Sequence, residues 1–163
     1  MKRLLIITLP VTLFLLVGCA DSRNMTASVA EQGPEISSPP ELSANEIAIG
    51  EIVYSDNCAS CHGVNLEGEV DWKQQNEDGT FRSPPHTADG HTWHHADSVL
   101  IEAIREGGER FEGLNIGGTS NMPAFSETLT DEDSLAVLTY IKSTWPEDVR
   151  AMQWQQTAQD TSS

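Results

Sequence analysis

Cys58-Ala59-Ser60-Cys61-His62 places two thiols and an imidazole within five residues. A C-x-x-C-H run of this spacing can add both thiols across the vinyl groups of a haem, while the adjacent imidazole reaches the iron from the same short turn. A thioredoxin-like dithiol is the competing chemistry, but it expects the pair at the end of a strand in an α/β pattern, and no such pattern surrounds it. A tetrahedral zinc site fits poorly, because the chain has no second cysteine pair and its third cysteine, Cys19, stands alone. A second cluster, Gly90-His91-Thr92-Trp93-His94-His95, could form a metal site, an iron ligand or a surface turn, since imidazole suits copper as well as iron.

Helices are the elements that would position these residues. Ser43-Ala44-Asn45-Glu46 has the form of a capping box, with Leu42 and Ile47 placed as a hydrophobic staple, so a helix is expected from Ala44 into the Cys58 motif. Val99, Leu100, Ile101, Ala103 and Ile104 form a second apolar run, which ends at Gly107-Gly108, a usual helix exit. A third helix follows a Thr130 cap, with Leu135, Val137, Leu138, Tyr140 and Ile141 as its apolar face and Trp145-Pro146 as its stop. Nothing alternates with period two for long enough to make a sheet, so the fold class is all-α.

The chain opens as an export signal. Met1, Lys2 and Arg3 give a positive start, and Leu4 to Val17 is apolar but shorter than the ~20 residues of a membrane-spanning helix. Leu16-Val17-Gly18-Cys19 resembles the bacterial lipobox, which implies a lipid on Cys19 as the first mature residue. The expected organisation is a signal over 1–18, a flexible tether over 19–42, one domain over 43–146 and a polar tail over 147–163, with a helix around Met152 and Trp154 as the alternative for the tail. Formal net charge is −16, and loss of Lys2 and Arg3 takes it to −18. Between Ser43 and Pro146 stand 18 acidic and five basic residues, so the domain itself is acidic. That balance argues against nucleic acid and anionic lipid surfaces as direct partners.

With the motif and the helices in place, Ser43 to Pro146 resembles the class I monohaem c-type cytochromes. In that family the first and last helices cross through a Gly and an aromatic residue packed against an apolar residue and another aromatic; Gly50 and Tyr54 match the first pair, Val137 and Tyr140 the second. The resemblance implies one covalently bound haem c on Cys58 and Cys61, with His62 as one axial ligand and Met122 of Asn121-Met122-Pro123 as the other. Physical reasoning gives Met122 the same role, because it stands in a loop with Gly113, Gly117 and Gly118 that can wrap a haem face, and a thioether favours ferrous iron. The resemblance also implies that a Pro carbonyl, from Pro84 or Pro85, fixes the tautomer of His62, and that Trp93 donates to a haem propionate. The polar stretch from Gly63 to Ser83 departs from the shortest family members and reads as a solvated insertion.

Two axial ligands leave no site for a small-molecule substrate. The expectation is an electron carrier and not an enzyme: an exported lipoprotein on the periplasmic side of a bacterial membrane, passing single electrons between redox proteins that present basic docking surfaces. Two alternatives stay open at this level: a haem sensor or enzyme with an open iron, and a copper-handling protein using His91, His94 and His95.

Overall fold

Helix α1, Ala44–Asn57, starts where the Ser43 hydroxyl accepts the Glu46 backbone N–H at 3.4 Å. The computed structural model describes residues 38–161, all within one compact unit. After α1 come α2 (Ala59–His62), a 3₁₀ turn (Thr92–His94), α3 (Asp97–Glu106), a second 3₁₀ turn (Gly107–Phe111), α4 (Asp131–Ser143) and α5 (Glu147–Asp160). Among the described residues there is no strand, only two isolated β-bridges, so the architecture is all-α. The signal, Cys19 and the tether as far as Ile36 and Ser37 lie outside the described residues.

Packing of α1 on α4 organises the domain. A Cβ added at Gly50 would lie 2.0 Å from the Ala136 carbonyl oxygen and 2.8 Å from Tyr140 Cβ, so only glycine permits this approach. One turn further, the Tyr54 and Tyr140 rings meet at 5.5 Å, tilted by 51°. Val137, 1% exposed, then joins Val53, Tyr54, Leu66, Ile141, Trp145 and Val149 in the core. Each large aliphatic or aromatic side chain buried this way contributes roughly 1.5–3 kcal/mol.

A complete capping box opens α4: the Asp133 N–H donates to the Thr130 hydroxyl, and the Thr130 N–H donates to the Asp133 carboxylate. Such a cap stabilises a helix by about 1 kcal/mol. Leu135, expected on the apolar face, is 55% exposed. The inward stripe is Ser134, Val137, Leu138 and Ile141, spaced three and four apart, and Leu135 falls outside it. Helix α3 ends at Gly107, whose φ of +54° lets the chain turn back; a Cβ there would sit 2.4 Å from the carbonyl oxygens of Met122 and Pro123.

The C-terminal segment is a helix and not a tail. Its mean hydropathy is low, and it docks through a buried polar row, Gln153 and Thr157, below Val149. Gln153 Nε2 donates to the His95 carbonyl (3.1 Å) and the Asp97 carboxylate (2.6 Å), while the Asp97 N–H donates to the Thr157 hydroxyl at 3.1 Å. Ser98 donates to Asp160 at the far end. With its partners satisfied, a buried amide avoids the ~1–3 kcal/mol penalty of an unpaired one, so α5 can hold the start of α3 without an apolar face.

The Gly63 to Ser83 insertion is folded against the domain. Leu66 is 4% exposed and part of the core, and Thr80 is buried beneath the Asp78 carboxylate.

Candidate functional site

Cys58, Cys61 and His62 occupy positions i, i+3 and i+4 of one helical turn, which puts all three on one face. Cys58 closes α1 by donating its N–H to the Tyr54 carbonyl, and the N–H groups of Cys61 and His62 then return to the Cys58 carbonyl at 3.1 and 2.9 Å. Gly63, at φ +82°, ends the turn, and the Tyr54 hydroxyl donates to its carbonyl at 2.9 Å. Neither cysteine is paired in a disulfide. Burial, with Cys61 adding to it, pushes the Cys58 thiol up to about 11, so it keeps its proton at neutral pH.

His62 is buried, and its Nδ1 lies 2.8 Å from the Pro84 carbonyl oxygen. A carbonyl can only accept, so Nδ1 carries the hydrogen and Nε2 keeps its lone pair for a metal. Burial lowers the His62 pKa, against a smaller opposing effect of the Pro84 hydrogen bond, which keeps the ring neutral as a ligand must be. Pro85 is buried one residue on and makes no bond to the His62 ring; its carbonyl leaves no room for a Cβ at Gly90, 2.0 Å away.

Sequence reasoning did not single out His86. Its ring stacks on His62 with centroids 4.1 Å apart and planes 28° from parallel, and its Nδ1 is 2.9 Å from the Thr92 hydroxyl. Its backbone N–H donates to the Leu66 carbonyl, and its own carbonyl accepts the Trp145 indole N–H at 2.6 Å. Burial first, and the neighbouring His62 second, lower its pKa to about 3. Two neutral imidazoles therefore lie face to face, the outer one fixed at three points. A lone His after two prolines carries no periodic signal, so only the tertiary structure could have found it.

Met122 stands in the loop after the second 3₁₀ turn. Its N–H donates to the Ser120 hydroxyl at 3.3 Å, and its carbonyl accepts the Gly108 N–H at 2.8 Å. Neither bond uses the thioether. Together with Phe111, Leu114 and Ser120, Met122 lines an open cavity of about 580 Å³.

The histidine cluster does not assemble a chelate. His94 stacks on Trp93 at 3.7 Å, and His91 meets Trp72 and His94 edge-on, each at 6.2 Å. Among the described residues no group of three or more His, Cys, Asp or Glu is arranged to hold a metal ion. Trp93 packs against the core, and its indole N–H donates to the Ala88 carbonyl at 3.1 Å.

The donor set fits haem c: two free thiols and a neutral imidazole with its far nitrogen free share one helical face. Comparison with known proteins agrees. The family described as Cytochrome c matches residues 47–145. The Cbb3-type cytochrome c oxidase subunit FixP of Azorhizobium caulinodans is 28% identical over 109 residues, which cover 67% of this chain and 33% of that protein. The chain thus spans about a third of that relative's length. No solved structure matches.

Proposed function

The chain belongs to the cytochrome c family and binds haem c covalently, and from that premise we propose that it carries single electrons with His62 and Met122 as axial ligands. When bound, the haem supplies a one-electron ferric/ferrous couple. Cys58 and Cys61 hold it through thioethers. Pro84 fixes the tautomer and plane of His62, and the 2.8 Å contact between them is the observation that carries this reading. Met122 is favoured for the second position by its glycine-rich loop and by a backbone anchored to Gly108 and Ser120, which leaves its sulfur unengaged.

An iron with both axial positions filled should stay low-spin when reduced and take up carbon monoxide slowly or not at all. Rapid stoichiometric binding of carbon monoxide by the reduced wild-type protein would end the carrier reading in favour of an open-iron sensor or enzyme.

The setting we propose is the periplasmic side of a bacterial membrane, with the domain held by a lipid on Cys19. No helix among the described residues is long and apolar enough to cross a membrane. The relative is a subunit of a cytochrome c oxidase, which supports a larger redox complex as partner. A formal charge of −16 favours a basic docking surface on that partner, with association slowed by salt. Cys19→Ser should shift the protein from the membrane fraction to the soluble one, and unchanged fractionation would refute the lipid anchor.

A further inference from the structure

The Gly63 to Ser83 insertion has no role in the electron-carrier reading, yet it is built around a tight hairpin. Gln75 and Phe81 pair as an antiparallel bridge, the Asn76 N–H donates to the Thr80 carbonyl at 2.9 Å, and the Asp78 carboxylate accepts both the N–H and the hydroxyl of Thr80. The hairpin in turn grips the loop that leads to Met122. The Phe81 N–H donates to the Thr119 carbonyl (2.8 Å), the Thr119 N–H donates to the Gly79 carbonyl (3.2 Å), and the Gln75 amide donates to the Gly117 carbonyl (2.6 Å). Between these points Gly118 lies directly on the hairpin: a Cβ there would be 2.2 Å from Gln75 Nε2, 2.8 Å from Phe81 Cζ and 2.9 Å from the Gly79 oxygen.

Met122 follows three residues after Thr119. Its loop is therefore held on one side by the hairpin and on the other by Gly108, whose N–H bonds the Met122 carbonyl. A run containing Gly113, Gly117 and Gly118 has much conformational entropy to lose, and each fixed point shortens the segment that must be ordered. At its other end the insertion runs through Ser83, paired with Glu69, into Pro84 and so to His62.

We propose that the Gln75 to Phe81 hairpin is the positioning element for Met122, so that a single insertion ties down the segments behind both axial side chains. The proposal rests on Met122 being a ligand. Its test is displacement: the oxidised holoprotein is titrated with imidazole, which competes with the thioether for iron, while the weak far-red band of sulfur on ferric haem reports Met122. Gln75→Ala should tighten imidazole binding roughly five-fold, as expected for the loss of one hydrogen bond. Gly118→Ala should tighten it by roughly tenfold or more, because its Cβ drives the loop off the Gly79 carbonyl. In both variants the haem stays attached, and the denaturant midpoint moves proportionally less than the imidazole affinity. Wild-type imidazole affinity in both variants would overturn the proposal, and so would a change in affinity that merely tracks global stability. If the oxidised wild type shows no far-red band, the Met122 assignment fails and takes the proposal with it, an outcome distinguishable from the first two.

Discussion

Met122→Ala is expected to abolish the far-red sulfur band of the oxidised protein, to lower the reduction potential by on the order of 0.1 V or more, and to open the iron to carbon monoxide. A thioether is a weak donor that favours ferrous iron, and axial ligands set haem potentials over a range of ~0.8 V, so exchanging sulfur for water or an empty position acts on a large lever. Replacement by another side chain is poorly provided for, since His94 is stacked on Trp93 and His91 and His95 lie against each other at 4.9 Å. Burial and neighbouring charges lower the pKa of both His91 and His95, so they are available as neutral donors if the loop moves, and a nitrogen-ligated low-spin spectrum in the variant would report that movement. Helix content should hardly change, because the hydrogen bonds that anchor Met122 use its backbone and not its side chain. The decisive measurement is the pair of oxidised spectra with a potentiometric titration. A wild type without the band, unaltered by the substitution, would give the sixth position to another residue.

How much of this was legible in the sequence depends on where each signal resides. The Cys58 motif and the Thr130 cap are local patterns, and local patterns survive in a string of letters. The close approach at Gly50 was readable only through the family resemblance, since nothing about a glycine in a helix says that Ala136 will lie against it. Of the two candidate carbonyls at Pro84-Pro85, only geometry selects Pro84. Helix α5 lacked a legible signal for a physical reason: it docks by satisfying Gln153 and Thr157 against His95 and Asp97, whereas hydrophobic periodicity detects only faces that dock by excluding water. Leu135 misled in the opposite sense, as an apolar residue beside the stripe and not in it. The hairpin of the insertion was hidden because its grip on residues 117–119 is made by backbone groups of Gly79, Phe81 and Thr119 and by one side chain, Gln75, whose partner is itself a backbone carbonyl, and side-chain identity scarcely encodes such pairing.

Replacing both Cys58 and Cys61 by Ser should take covalently retained haem from one per chain to none, the largest change expected of any substitution here. Wild-type haem should survive acid acetone and denaturant, because thioether bonds do not dissociate with the fold; either single variant should keep it through one bond. The rival dithiol chemistry makes the opposite demand on these sulfurs. A redox C-x-x-C works through a thiolate whose pKa is depressed, commonly at a helix N-terminus or beside a cation. Here Cys58 is pushed up to about 11 by burial, with Cys61 contributing. A thiol so placed is a poor exchange nucleophile. The double variant should also lose its fold in the cell, since the turn that carries it shares Tyr54 with the α1–α4 crossing, and ligand binding that selects the native state adds directly to stability. Haem released from the wild type by acid acetone would sink the covalent attachment, whereas a double variant that retained haem under the same extraction would show that the bonds lie elsewhere.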